Sequence, residues 1–352
     1  MLRRPDGHLN VALHSPLAGL RVLEFEGIGP GPVAGRILAA MGAEVTVIAR
    51  PTAGAIQRLG GTGENPLRAG KQVVVLDLKQ PDDVLRALDM VATADALIEG
   101  NRPCVMERLG LGPGACKARN PRLVYGRMTG WGQTGPLAQA AGHDLNYVAL
   151  SGLLSLSARP GQVPMIPPTV VGDAGGALGL AFGIVCGLFD ARTSGQGCVV
   201  DAAILDVVAM LGILAHWLNG NNQLGGTAPS PFHDSPQYDV YECADGRFVT
   251  IAALEPQFYV LLLDKLDMQD VDPARQLNTR DWPALKARFA AAFKTRSRQE
   301  WCDLLEGTDV CFAPVLDINE AALHPHNVAR QLFPRTAGGA IETQIAPRFD
   351  AL

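Results

Sequence analysis

Short apolar runs of strand length alternate with helix-like segments in the first third of the chain. Arg21–Phe25 and Glu44–Ala49 have the apolar, β-branched character of buried strands. Further runs of this kind are Gln72–Leu78, Asp95–Ile98 and Leu123–Met128. Helical periodicity is found between the runs, at Val33–Met41 and Asp82–Val91. Strand, helix and strand in this order predict an α/β domain with a parallel sheet and crossover helices.

Beyond residue 170 the pattern changes to longer apolar segments and then to a hairpin. The expected long helices are Gly175–Phe189 and Ala202–Leu218. The Gly-, Asn- and Pro-rich segment Gly220–Pro236 is expected to be a linker or flexible loop. Asp245-Gly246 is a strong turn signal between two hairpin strands, Asp239–Ala244 and Arg247–Ala252. Helices are then predicted at Pro256–Leu266, Trp282–Lys294 and Arg298–Leu305. This region is interpreted as a second, smaller α+β domain.

Composition narrows the classes of function. A chain of 352 residues exceeds one simple core, so two domains are the default. The net charge of −5, without a basic run of five residues, argues against a nucleic-acid partner. No stretch approaches the roughly 18 uninterrupted apolar residues of a membrane span, so no membrane partner is expected. Seven scattered cysteines without a C-x-x-C pair favour reduced thiols and a cytoplasmic location over a disulfide framework or a metal site.

Ligand-binding signals follow the predicted strands. The Gly27–Pro32 loop joins a strand to a helix, where backbone N–H groups and the helix dipole can meet a phosphate. It is not a dinucleotide fingerprint, because Pro32 takes the place of the third glycine. Arg50 and Arg102 each follow a strand, at the sheet edge where ligands collect. Arginine there can bind phosphate or stack on an adenine, and a solvated surface charge stays open as the alternative.

Three titratable residues stand beside glycine, proline or amide residues at predicted helix starts. His143 follows Gly142, and a helix dipole there disfavours its charged form, which suits a general base. Asp173 precedes two glycines and a long apolar helix, and Glu255 precedes Pro256 and another helix. Helix capping is the competing interpretation for each of the three. The local sequence does not show whether these groups meet in space.

Ordered motifs along most of the chain carry a resemblance to a known family. The motifs are Pro16–Glu24, Gly29–Pro32, Gly42–Val45, Leu76–Lys79, Arg102-Pro103, Glu107–Pro113, Gly130–Pro136, Ala141–Tyr147, Val171–Gly176, Tyr241–Gly246, Leu254–Tyr259 and Ala313–Leu316. Together they resemble the class III CoA-transferase family, and within it the α-methylacyl-CoA racemases. His143 and the segment at Glu255 resemble the racemase branch, while the Asp173 position is shared with transferases.

The resemblance implies a fold and an assembly. The fold would be an interlocked homodimer of chains that each combine a large Rossmann-like domain and a small α+β domain. The implied ranges are 1–200 and 317–352 for the large CoA-binding domain, 225–315 for the small domain, and 201–224 for a linker helix and loop. Each site would take His143 and Asp173 from one chain and Glu255 from its partner.

The resemblance also implies a substrate and its contacts. The substrate would be an acyl-CoA, with no cofactor beyond its CoA moiety and no metal. Arg50 would contact the adenine nucleotide of CoA. Arg108, which lies in a matched motif, and Arg102, which follows a strand, are further candidates for CoA binding.

The implied reaction is epimerisation at the α-carbon of a 2-methylacyl-CoA through an enolate. His143 would remove the proton from one face, Asp173 would supply a proton to the other, and Glu255 would orient His143. Backbone N–H groups of the Asp173–Gly176 segment would receive the enolate oxygen. Two alternatives stay open: a CoA-transferase with Asp173 as acyl-anhydride nucleophile, and an inactive CoA-binding homologue.

Overall fold

A computed structural model of the chain describes residues 15–52, 65–159, 161–226, 228–336 and 338–349. Six strands form one parallel sheet in the order β3-β2-β1-β4-β5-β6. The strands are β1 (Arg21–Phe25), β2 (Glu44–Ala49), β3 (Lys71–Val75), β4 (Ala96–Glu99), β5 (Val124–Thr129) and β6 (Val199–Ala203). The order reverses between β1 and β4, as in doubly wound sheets that bind ligands at that point. The predicted α/β class with a Rossmann-like parallel sheet is confirmed.

Helices connect these strands and cover the sheet. They are α1 (Pro30–Ala40), α2 (Pro81–Val91), α3 (Val105–Arg108), α4 (Pro113–Arg119), α5 (Asp144–Leu150), α6 (Gly175–Ser194) and α7 (Ile204–Leu211). The next helix, α8 (Ile213–Gly220), belongs to the second unit described below. Single 3₁₀ turns occupy Pro66–Arg68 and Leu153–Ser157, and a π-helical turn at Val170–Ala174 runs into α6. The prediction of one helix over Ala202–Leu218 is wrong. Val199–Ala203 pairs with β5, so tertiary pairing draws these residues into the sheet before the helix begins.

Helix α6 is the central packing element of the first sheet. Its Leu180 and Ile184 are buried in one cluster with Val124 and Met128 of β5. The stretch Val170–Ser194 is also long and apolar enough to cross a membrane by length and composition, with 44% of that window buried inside the chain. Those two properties are weak indicators of a membrane span, because the core helix of an α/β domain shares them.

A second sheet is antiparallel and has the order β7-β8-β9. Its strands are β7 (Tyr238–Glu242), β8 (Phe248–Ala252) and β9 (Phe312–Pro314), and its helices are α9 (Pro256–Lys265), α10 (Trp282–Phe293), α11 (Arg298–Leu305), α12 (Ile318–Leu323) and α13 (Pro325–Ala329). A 3₁₀ turn lies at Pro273–Arg275. Stacked Tyr241 and Phe293, with Trp301 against Phe293, form the aromatic centre of this core. The predicted hairpin and its following helices are present, while β9 was not predicted.

The described residues fall into two compact units. One comprises those within Met1–Ser157, Pro164–Gly212 and Ile345–Leu352, and the other those within Ala158–Val163 and Ile213–Gln344. The sequence assigned residues 317–352 to the large domain, whereas most of this segment groups with the second unit by contact. The functional domain ranges and the interlocked homodimer stay predictions.

Candidate active site

A cleft of about 330 Å³ opens within the first unit, at the carboxyl ends of β4 and β5. The loop before α1 and the start of α5 also contribute to its walls. Its lining residues are Ile28, Gly29, Pro30, Gly100, Asn101, Arg102, Pro103, Met128, Thr129, Gly130, Trp131, Ala138, Ala140, Ala141, Gly142, His143, Tyr147, Asp173 and Ile204. The fold therefore brings His143, Asp173 and Arg102 of the predicted set to one cleft.

His143 is the N-cap residue of α5 and is exposed toward solvent. Its backbone N–H donates to Oδ1 of Asn146 over 3.0 Å, so the amide three residues later closes the helix start. His143 is therefore a helix-start residue, as the capping interpretation predicted, and its role in a reaction stays a prediction. The main chain holds the helix start, and the imidazole lines the cleft.

Asp173 lies in the π-helical turn that precedes α6 and is half-buried. Burial raises the pKa of this carboxyl, the negative charge of Asp144 raises it further, and His143 opposes both effects. A carboxyl with a raised pKa is a better proton acceptor than an ordinary aspartate, and it holds a proton to higher pH. This environment suits a group that exchanges protons with a weak carbon acid.

The expectation that N–H groups of Asp173–Gly176 receive an enolate oxygen is wrong for the first three. The N–H of Asp173 donates to Oδ1 of Asp144 over 2.7 Å, and the N–H of Ala174 donates to the Thr169 carbonyl over 2.9 Å. The N–H of Gly175 donates to the Gly172 carbonyl. These three N–H groups already have acceptors, one of them the Asp144 carboxylate, so they are not free to bind an enolate oxygen. The expectation for the N–H of Gly176 stays a prediction.

Two aromatic residues that the sequence analysis did not select form one wall. The rings of Trp131 and Tyr147 meet edge to face, with centroids 4.6 Å apart. The Tyr147 hydroxyl donates to the Gly142 carbonyl, one residue before His143. Burial and the nearby charge of Asp173 raise the pKa of Tyr147, while Arg102 lowers it. Trp131 lies in a motif quoted above, but only the fold places it against α5.

A second cleft of about 420 Å³ lies at the carboxyl ends of β1, β2 and β3. Arg50 lines it, and its backbone N–H donates to Oε2 of Glu26 over 3.0 Å. Lys79 contributes a second positive charge to the wall. Asn101 lines both clefts, so the two adjoin along the edge of the sheet. An extended ligand with one end at Arg50 can reach the cleft of His143 by this route.

Two predicted site residues lie elsewhere. Arg108 ends α3, is exposed, and is absent from the lining of both clefts of the described chain. Glu255 caps α9 in the second unit and is exposed. Its charge raises the pKa of Cys311, after the larger effect of burial. Arg108 therefore lies away from both clefts of its own unit, and Glu255 belongs to the second unit.

Metal ligation was considered for the same surfaces. Within the described ranges, no group of three or more His, Cys, Asp or Glu side chains is arranged to hold a metal ion. The predicted independence of the reaction from metals and added cofactors stays a prediction.

The sequence matches the profile described as CoA-transferase family III over residues 17–350. The chain belongs to CoA-transferase family III. The resemblance inferred from the ordered motifs is therefore confirmed, and it extends over nearly the whole family III chain rather than over one domain.

Curated relatives of this family III chain carry two kinds of name. The protein named alpha-methylacyl-CoA racemase in Mus musculus is 41% identical over 327 residues, covering 90% of this chain and 82% of the mouse protein. The Homo sapiens protein of the same name is 38% identical over 353 residues, covering 95% and 88%. Acetyl-CoA:oxalate CoA-transferase of Acetobacter aceti is 31% identical over 346 residues, covering 92% and 86%.

A solved structure shares the fold. The crystal structure of a hypothetical protein (Rv3272) from Mycobacterium tuberculosis superposes with a TM-score of 0.81. It is 28% identical and covers 95% of this chain and 92% of its own. The similarity spans both units described above.

Proposed function

We propose that this protein is an α-methylacyl-CoA racemase that interconverts the epimers of a 2-methylacyl-CoA by 1,1-proton transfer through an enolate. The observation that carries the proposal is the meeting of His143 and Asp173 in one cleft. The two racemase-named relatives, at 41% and 38% identity, support this interpretation over the transferase alternative.

The proposed chemistry needs two proton-transfer groups on opposite faces of one carbon. His143 takes the proton from one face while Asp173 returns one to the other, and the reverse reaction exchanges their roles. Burial and the charge of Asp144 raise the pKa of Asp173, which makes its carboxylate a stronger base toward the α-proton than an ordinary aspartate. The oxygen of the enolate needs a hydrogen-bond donor other than the N–H groups of Asp173, Ala174 and Gly175, which already have acceptors.

The CoA moiety is proposed to run from the second cleft to the first. Arg50 and Lys79 offer positive charge to the nucleotide end, and Arg102 lies in the cleft of His143. Arg108 keeps its proposed role in CoA binding only as a sequence-based prediction. No cofactor beyond the CoA part of the substrate is proposed.

A homodimer is proposed because α6 leaves a continuous apolar face exposed. Leu178, Phe182, Val185 and Phe189 follow the spacing of one helix face, and their exposed fractions are 54%, 68%, 39% and 74%. A face of this kind marks an interaction surface. We propose that a second copy covers it and that Glu255 of the partner subunit orients His143. A cytoplasmic location stays a proposal that rests on seven unpaired cysteines.

The first experiment is deuterium exchange at the α-carbon in D₂O with a single 2-methylacyl-CoA and no added acid. A racemase exchanges the α-hydrogen and forms both epimers, whereas a transferase needs a second acid. Transfer to an added carboxylate without exchange would favour the alternative, in which Asp173 is an acyl-anhydride nucleophile. Tight CoA binding with neither activity would favour an inactive homologue.

Single variants test the two-base assignment. Replacing a general acid–base group typically costs roughly 10²–10⁴-fold, so His143→Ala and Asp173→Asn are expected to lose interconversion in that range. Each variant should retain slow exchange of the epimer that the remaining base deprotonates. Glu255→Gln should cost less, since that residue orients rather than transfers. Equal exchange of both epimers in both variants would contradict the assignment.

Sedimentation tests the assembly. Wild type is expected to sediment as a dimer at micromolar concentration, and Phe182→Asp should lower the fraction of protein in the folded dimer because a charge enters the apolar face. Lys294→Ala, which alters an exposed ion pair in the second unit, serves as the control and should remain dimeric. A wild-type monomer with full exchange activity would refute the need for a partner's Glu255.

A further inference from the structure

Asp144 is a buried carboxylate between the two segments that carry the proposed bases. It is 6% exposed and is the first residue of α5, directly after His143. Its Oδ1 accepts the backbone N–H of Asp173 over 2.7 Å, and its Oδ2 accepts the N–H of Thr169 over 3.1 Å. Hydrogen bonds to an ionised carboxylate are among the strong ones in proteins. One side chain therefore ties the start of α5 to both ends of the π-turn.

The local backbone is shaped around this carboxylate. A Cβ atom built on Gly172 would lie 2.1 Å from Oδ1 of Asp144. Any side chain at position 172 would therefore clash with the Asp144 carboxylate in its present place, and glycine avoids the clash. Thr169 adopts a left-handed conformation, with φ of 66° and ψ of −7°, which a β-branched residue disfavours. The conformation of Thr169 persists because surrounding contacts, including the bond to Asp144, hold it.

We propose that Asp144 is a positioning residue, whose carboxylate sets the placement of Asp173 relative to His143 for proton transfer. The inference rests on the proposed function. Asp144 acts on Asp173 in two ways: its oxygens accept backbone N–H groups of the turn, and its negative charge lies close to the Asp173 carboxyl. Its role differs from that of Glu255, which is proposed to act on the imidazole.

The charge of Asp144 changes the pKa of Asp173, and a purely structural role of Asp144 would not be expected to do so. The charged or titratable groups that change the pKa of Asp173 are Asp144, which raises it, and His143, which lowers it. The charge of Asp173 in turn raises the pKa of Tyr147, and Arg102 lowers it. Burial is the largest cause of the raised pKa of Asp173, and the charge of Asp144 is the second. Neutralising Asp144 without changing its shape should therefore lower the pKa of Asp173.

The experiment compares Asp144→Asn with wild type in α-hydrogen exchange across pH. Asparagine matches the shape but loses the charge and turns an NH₂ group toward one of the two donors. Misplacing a catalytic group by about 1 Å can cost on the order of 10²-fold, so we expect a loss of that order in kcat with a nearly unchanged KM. For the epimer that Asp173 deprotonates, the acid limb of the kcat/KM profile should move to lower pH.

Asn146→Ala is the matched control. Asn146 caps the same helix start through the N–H of His143 but is exposed and makes no bond to the π-turn. This variant should lower the unfolding temperature and leave the acid limb where it is in wild type. Both variants are compared by thermal unfolding, so that a loss of stability is separated from a loss of positioning.

The outcomes distinguish the two proposals. Suppose that wild type exchanges the α-hydrogen, that Asp144→Asn changes kcat by no more than about twofold, and that the acid limb of its kcat/KM profile does not move. The proposed role of Asp144 is then overturned, and the racemase function stands. If wild type transfers CoA without exchange, the racemase proposal fails, and the same comparison is made on the transfer rate. Should Asp144→Asn not fold, Gly172→Ala displaces the carboxylate without removing it, and an unchanged kcat in that variant overturns the inference.

Discussion

The buried ion pair beneath α1 allows a sharp test of how the first cleft is supported. Nζ of Lys71 lies 2.5 Å from Oε2 of Glu24, and the two side chains are 0% and 3% exposed. Nζ also donates to the Pro32 carbonyl in the first turn of α1 over 2.8 Å. The preceding residues of that turn line the cleft of Asp173. Lys71→Met should therefore destabilise the first unit and loosen this wall.

The expected loss follows from the burial of both partners. Removing one member of a buried pair leaves the other charge uncompensated and typically costs ~3–5 kcal/mol of unfolding free energy. Replacing both by apolar residues removes that penalty, so Glu24→Met with Lys71→Met should be more stable than Lys71→Met alone. Arg288→Met, which breaks an exposed pair with Asp270, should change stability little.

The pH dependence gives the sign of the effect. Burial raises the pKa of Glu24 from 4.5 to about 7, against the attraction of Lys71, and burial lowers the pKa of Lys71. A carboxyl with a raised folded-state pKa contributes stability that is complete below 4.5 and is lost as pH rises through about 7. Without Lys71 the pKa of Glu24 rises further, so Lys71→Met should lose more stability at pH 8 than at pH 5.5.

The assay is urea unfolding at both pH values, at fixed protein concentration because the stability of the proposed dimer would depend on it. A loss below about 1 kcal/mol in Lys71→Met at pH 8 would refute the reasoning, since it would mean that the pair is solvated in solution. An equal loss at both pH values, or a double variant no better than the single one, would also refute it.

Three further predictions follow from single positions. Cys104 is exposed, and its backbone has the left-handed conformation, with φ of 67°. Cys104→Gly should therefore raise the free energy of unfolding in urea by about 0.5–1 kcal/mol. A decrease would contradict the idea that this backbone is strained. Gly130→Ala would place a Cβ atom 2.0 Å from Cζ of Tyr147. The overpacking should lower the free energy of unfolding by about 1–3 kcal/mol, which is measured as a lower unfolding temperature. An unchanged temperature would mean that the Tyr147 ring can move away. Arg50→Ala should raise KM for the acyl-CoA with kcat nearly unchanged, because a nucleotide contact stabilises ground and transition states alike; a fall in kcat at constant KM would place Arg50 near the reacting carbon.

Local sequence determined the elements whose signals are complete within a few residues. Strands β1 and β2 have the predicted bounds, because apolar β-branched runs end at loop or turn residues there. Helix α11 also has its predicted bounds, and its Ser297 and Glu300 form a capping box at the start. The ordered motifs identified the family, because their agreement in spacing does not require knowledge of any contact.

Tertiary structure decided what depends on residues far apart in the chain. β6 and β9 exist as strands because β5 and β8 supply their hydrogen-bond partners, and neither has a strong signal of its own. The sequence named His143 and Asp173 separately, but the packing of α5 against the π-turn brings both to one cleft. The same packing buries Asp144 and occupies the N–H group of Asp173, one of those that were expected to bind an enolate. Burial and hydrogen-bond partners are properties of the folded chain, so the local pattern of residues did not contain them.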